Sequence, residues 1–237
     1  MIGVIANTIT VLIGSLCGLL LCRGIPEKVS DTVMRATGLC TLYIGISGAL
    51  EGENTLVLIL SMAIGTMLGA WLDIDKHFTQ AVEKIESKFR RGDGKVSLAE
   101  GFISASLLFC VGAMTIVGSL QAGLTGDNRM LFTKSILDLI SSFLFASTLG
   151  IGVVASAGFV FVFQGAIVLA ATWLAPLLSD AVIAEMTCAG SLLIVALGLN
   201  LIGVTKLKIL NYLPAVFLPI LLCPVYDRIA SWLAAIL

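Results

Sequence analysis

The chain has 237 residues, 58% of them hydrophobic and only 12% charged, with a net charge of −1 and a mean hydropathy of +1.07. Soluble domains carry about 25% charged residues, and a soluble core of this size has no room for so much apolar surface, so lipid is the implied solvent. The net charge says little about partners, but nothing in the chain resembles a nucleic-acid-binding module, and nucleic acid is not expected as a partner.

In chain order, apolar runs long enough to cross a membrane fall at 2–22, 33–50, 55–73, 99–120, 130–148, 151–175, 184–203 and 208–230. The first starts at Met1 and has no small-residue cleavage site, so it reads as an uncleaved span. The connector 74–98 carries KHFTQAVEKIESKFRRGDGK. Phe78, Ala81, Val82, Ile85 and Phe89 recur there at helical spacing among Lys and Arg, which predicts an amphipathic helix on the membrane surface.

Eight alternating spans place Arg23, Lys28, Arg35, Lys206, Lys208 and the basic residues of 74–98 on one side, against Arg129 and Arg228 on the other. The positive-inside rule then predicts a cytoplasmic 74–98 loop, with both termini outside the cytoplasm. Without a span at 130–148, Lys206 and Lys208 change sides and the bias weakens.

An internal repeat is visible. GVIANTITVLIGSLCGLLLCRGIPEKVSDTV (3–33) and GVVASAGFVFVFQGAIVLAATWLAPLLSDAV (152–182) both open on Gly-Val and both reach Ser-Asp at the same spacing. Ser15 aligns with Gln164, and Asn7 with Ser156. The expected architecture is therefore all-α: one polytopic membrane domain over 1–237, with repeat 1 at 1–75, a central part at 76–149 and repeat 2 at 150–237. With about eight spans the copies lie an odd number of helices apart. That makes them inverted three-helix repeats around a central helix pair, an arrangement common in secondary transporters.

The charged residues inside the spans are few. TKSILDL (133–139) puts Lys134 and Asp138 four residues apart on one face of an apolar helix, with Ser135 beside them. A charge at bilayer depth costs at least about 2.5 kcal/mol, so this face is expected to meet protein or water. The preceding GSLQAGLTGDNR (118–129) contains Gly118, Gly123 and Gly126, which predict a broken helix exposing Ser119, Gln121 and Asp127. Asp127 also has the alternative role of capping the next helix. Gln164 is a lone amide in the middle of its span. These seven residues, Lys134, Ser135, Asp138, Gln164, Ser119, Gln121 and Asp127, are the candidate substrate- or ion-binding set.

Gly14–Gly18 and Gly65–Gly69 have the GxxxG spacing that lets helices approach closely, within the chain or across a homodimer. The six cysteines lie in or beside apolar runs without a CxxC, and His77 is alone in a charged connector, so neither metal nor other cofactor is expected. No phosphate-binding GxxxxGK, HExxH or GxSxG occurs, and an enzyme is not expected.

The stretches GSLQAGLTGD, LFTKSILDLISSFLFASTLGIGVVASAG and GVIANTITVLIGSLCGLLLCRGIPEKVSDTVMRATGLCTLYIGI resemble the YqgA/YdfK-like family of bacterial inner-membrane proteins, a family of unknown function. The KSxLD core at Lys134, Ser135 and Asp138 is the most specific part of the resemblance. It implies a polytopic membrane protein and brings no activity with it. The residues themselves favour secondary transport of a small ion or polar solute, with a channel, or a non-transporting scaffold docking lipid or protein through 76–91, as the alternatives.

Overall fold

The computed structural model describes residues 1–22, 27–80, 98–111 and 113–236. Among these the chain is all-helical. The long helices are α1 (Ile2–Cys22), α2 (Glu27–Ala49), α3 (Thr55–Trp71), α5 (Leu98–Cys110), α6 (Ala113–Leu124), α7 (Arg129–Leu149), α8 (Gly152–Leu169), α10 (Asp180–Leu201) and α12 (Pro219–Ile236). Short pieces complete them: α4 (Ile74–Gln80), α9 (Ala171–Leu174), a 3₁₀ turn at Ile209–Tyr212 and α11 (Pro214–Phe217). Most of the amphipathic segment expected at 76–91 lies outside the described residues.

Four helices are individually long and apolar enough to cross a membrane: Ile2–Leu21, Arg129–Leu149, Gly152–Leu169 and Asp180–Leu201. Counting each bent pair as one span brings the number to seven: α3 with α4 (49°), α5 with α6 (60°), and Ile209–Phe217 with Pro219–Ile229 (45°). Pro219 starts the second half of the last pair, where its missing N–H breaks the ladder. The expected second span, 33–50, falls in α2, which is long enough but opens with Glu27, Lys28, Asp31 and Arg35 and is not among those seven. The chain is thus a membrane protein with four to seven candidate spans.

Burial is arranged for a lipid solvent. The outward faces carry Leu20, Leu39, Ile136, Leu169 and Trp173, whereas Asn7, Ser15, Ser61, Ser119, Ser156 and Gln164 are fully buried. α1, at 21 residues and 1.5 Å each, is about 30 Å long, the thickness of the hydrocarbon core. Trp71 and Trp173, both highly exposed, mark helix ends where amphipathic rings favour the interface.

Close approaches at glycine fix the relative directions of the helices. Gly3, Gly14 and Gly18 of α1 meet residues 128–131, 139–142 and 143–146 in turn, so α1 and α7 run parallel. Gly38 and Gly45 of α2 and Gly52 in the loop after it meet 198–202, 191–195 and 185–188, so α2 and α10 run antiparallel. Gly65 and Gly69 of α3 abut Ala215 and Asn211, again antiparallel. Gly101 meets Leu149 and Gly152 while Gly123 meets Val168 and Ala171, so α5–α6 runs parallel to α8. α8 runs against α7, because Gly150 turns the chain at one end and Leu131 packs with Val168 at the other.

A buried ion pair in the wall of an open cavity

Lys134 and Asp138 lie in the N-terminal half of α7 and touch: Nζ is 2.5 Å from Oδ2, with both side chains 8% exposed. α1 supplies a second partner across its parallel contact, Asn7 Nδ2 donating to the same Oδ2 at 3.0 Å. Ser135 beside them donates to the Leu131 carbonyl at 2.7 Å, satisfied within its own helix.

The other polar groups of this level come from helix geometry. Val4, Ala122, Leu131 and Val168 pack as one apolar cluster contributed by α1, α6, α7 and α8. One turn onward along α1 and α7, and one turn back along the oppositely directed α6 and α8, lie Asn7, Lys134, Ser119 and Gln164. Asn7 Oδ1, Ser119 Oγ and both amide atoms of Gln164 are buried without a hydrogen-bond partner among the described residues. Val11 and Val160 of the main apolar core close the far side, one turn beyond Asn7 and Gln164. A polar layer is thereby enclosed between apolar ones.

On its other side the ion pair forms the wall of an open cavity of about 500 Å³, lined also by Ser47 and Glu51 of α2 and its loop, Val111 and Thr115 at the helix break, Ser141, Thr187 and Ser191. Thr187 is 3% exposed and its hydroxyl has no partner among the described residues. A second open cavity of about 500 Å³ lies at the other end of α10, lined by Asp75, Glu100, Ser104, Leu197, Asn200 and Lys206. On α10 the first cavity ends at Ile194 and the second begins at Leu197; on α5 the corresponding residues are Leu108 and Ser104. About one helical turn of apolar side chain separates them.

The helix break falls elsewhere than the glycines of 118–126 suggest. It lies between Cys110 and Ala113, while Gly118 and Gly123 sit inside α6. Gly123 serves packing: its α-carbon faces the Val168 carbonyl and the Ala171 methyl, where a side chain has no space. Thr115 stitches the break, its hydroxyl donating to the Phe109 carbonyl at 3.0 Å. This brings the ends of two half-helices to the cavity that Lys134 and Asp138 also line.

Gln121 and Asp127 do not line this cavity. Gln121 is half-buried near the end of α6. Asp127 faces outward and accepts from Arg129 through its backbone N–H at 3.0 Å and its guanidinium at 2.7 Å. These bonds to Arg129 hold its carboxyl down at about 2. The N-cap of α7 is Asn128, whose side chain instead accepts from the Gly3 N–H at 3.0 Å and ties α1 to α7.

Glu185, in α10, is a buried carboxylate that the sequence reading passed over. It is 2% exposed, and its Oε1 accepts the N–H groups of Glu53 and Asn54 at 2.7 and 2.6 Å. A single acidic residue inside AVIAEMTCAG was the available signal. Among the described residues, no three His, Cys, Asp or Glu side chains assemble as metal ligands.

The chain matches, over residues 2–224, the family described as a protein of unknown function (DUF554). It is 35% identical to the uncharacterized membrane protein YdfK of Bacillus subtilis (strain 168) over 223 residues, covering 92% of this chain and 94% of that protein. It is 30% identical to the uncharacterized protein YqgA of Escherichia coli (strain K12) over 236 residues, covering 98% and 99%. No solved structure matches. The chain is a member of the DUF554 family of membrane proteins.

Proposed function

We propose that the protein is a secondary transporter of a small polar solute or ion across the bacterial inner membrane, built on eight spans with inverted three-helix repeats. The observation that carries this reading is the pair of open cavities along α10, each with polar and charged groups in its wall, held apart by about one helical turn. A carrier needs a central site reached from either side through a thin barrier. The buried Lys134–Asp138 pair lines one of these approaches.

The helix directions support the architecture. α1 opposes α8, α2 opposes α10 and α3 opposes the α11 segment, as copies related by inversion require. The central pair obeys the same relation, since α7 runs along α1 as α5–α6 runs along α8. Every one of these directions agrees with eight alternating spans, α2 included. In this scheme the Lys206 cavity and the 74–98 loop face the cytoplasm, and the Asp138 cavity faces out. The glycine-mediated contacts are spent within the chain, so a homodimer would use other faces.

Two-sided labelling tests the proposal without knowledge of the solute. Native cysteines are removed, and Ser141→Cys and Lys206→Cys chains are exposed to a membrane-impermeant thiol reagent in intact cells and in inverted vesicles. Ser141→Cys is expected to react only in cells and Lys206→Cys only in inverted vesicles. Reaction of both from one side removes the two-sided cavity and the transporter with it.

A further inference from the structure

We propose that the solute taken by the Lys134–Asp138 cavity is a zwitterion, a neutral α-amino acid; the inference rests on the transport reading of the same cavity. The argument begins with what the pair allows. Lys134 and Asp138 neutralise each other at 2.5 Å with each side chain 8% exposed. A lone anion bound at Lys134 adds a second negative charge beside the buried Asp138 carboxylate, with one ammonium to balance both. A lone cation bound at Asp138 adds a second positive charge beside Lys134 in the same way. An unbalanced charge at this depth is strongly unfavourable. A molecule carrying both charges a few ångströms apart replaces both partners at once and leaves no net charge behind.

The cavity supplies the groups for that exchange. Lys134 Nζ has three N–H donors and, among the described residues, one acceptor, Asp138 Oδ2, so donors remain for a carboxylate. Asp138 is held at Oδ2 by Asn7 as well, which keeps the carboxylate in place when Lys134 swings away. The Lys side chain has the reach to swing, and its i,i+4 spacing sets the two Cβ atoms about 5–6 Å apart. Thr187 of α10, 3% exposed and with no partner for its hydroxyl among the described residues, is part of the same cavity wall. A volume of about 500 Å³ lies in the range of small-ligand sites.

The test uses the purified full-length chain in detergent and reads Tm against the twenty amino acids one at a time, with acetate and methylammonium as the separate halves of the ligand. At least one neutral amino acid is expected to raise Tm in a saturable way, and neither half is expected to do so at the same concentration. Asp138→Asn is expected to lose that amino acid by tenfold or more in affinity and to gain acetate, because Lys134 then lacks its internal partner. Lys134→Gln is expected to gain methylammonium for the mirror reason. These gains keep the test informative even where one variant folds poorly. Acetate or methylammonium binding the unsubstituted chain as well as any amino acid does, or no amino acid shifting Tm, overturns the zwitterion. The two-sided labelling result stands apart from either, so a carrier of some other solute is distinguishable from no carrier at all.

Discussion

The N–H of Asn54 sits 2.6 Å from Glu185 Oε1, although the two residues are 131 positions apart. Asn54 is also the N-cap of α3, accepting from the N–H groups of Leu56 and Val57 at 3.2 Å. One carboxylate on α10 therefore holds the loop that ends α2 and begins α3. Gly52 beside it packs on Cys188, whose thiol donates to the Ala49 carbonyl. Glu185→Leu keeps the volume and removes the acceptor. Bonds to a charged group are worth about 1.5–3 kcal/mol. Amide exchange at Glu53 and Asn54 is expected to accelerate by about 10- to 100-fold, since each 1.4 kcal/mol is a factor of ten. Unchanged exchange at these two amides would show that the carboxylate does not hold the loop.

The parallel α1–α7 contact is set by Gly14 and Gly18. A methyl group on Gly14 would run into the Leu139 carbonyl and the Ser142 hydroxyl, and on Gly18 into the Phe143 carbonyl. Backbone gives way poorly, so Gly14→Ala is expected to cost about 1–3 kcal/mol. Gly158→Ala, which meets nothing within 4 Å, is the matched control and is expected to be neutral. Thermal unfolding of the two variants in one detergent decides it; equal Tm values would refute the contact.

Asp138→Asn is expected to abolish uptake of the solute into proteoliposomes while insertion and monodispersity stay as in the unsubstituted chain. The substitution keeps shape and the Asn7 contact and removes the charge that Lys134 faces. Wild-type uptake in this variant would end the assignment of Asp138. Saturable uptake with steep temperature dependence in the unsubstituted chain separates a carrier from a channel.

The Asp127–Arg129 pair gives a pH prediction with a definite sign. The carboxyl is held down to about 2, against about 3.9 in an unfolded chain. Its contribution to folding is present above the unfolded value and disappears as pH falls through the folded one. Asp127→Asn is therefore expected to leave Tm unchanged in its pH dependence between pH 5 and 8. It should flatten only the acid limb between about pH 4 and 2. A Tm difference that varies across the neutral range would contradict the exposed placement of the pair.

The sequence showed the spans and the ion pair for simple reasons. Lipid-facing surface must be apolar, and an i,i+4 spacing puts Lys134 and Asp138 on one helix face; that the two side chains touch is what the structure adds. Gln164 stood out as a lone amide in an apolar run. The helix break was not legible, because the glycines of 118–126 look like punctuation and two of them are packing residues instead. The true break falls between Cys110 and Ala113, where the sequence offers one glycine, Gly112, in an apolar run, and Thr115, which bonds across it, has no local signature. Glu185 was hidden by position: an acid in the first turns of an apolar helix reads as a span edge, and only the distant loop 49–54 reveals what it binds. The α2 helix lies between these cases, long enough to span but with charges in its first turns.

The single turn of apolar side chain between the two cavities also has an electrical meaning. In the proposed carrier, where both approaches fill with water, a membrane voltage would fall almost wholly across the stretch between Ile194 and Leu197, a few ångströms, instead of across the full bilayer. A cargo with net charge crossing that septum would feel nearly the whole field, about 2.3 kcal/mol per elementary charge at 100 mV. A zwitterion crosses it with no electrical work. Transport by this chain would then run independently of voltage, and a current recorded during turnover would report the charge of whatever ion travels with the solute.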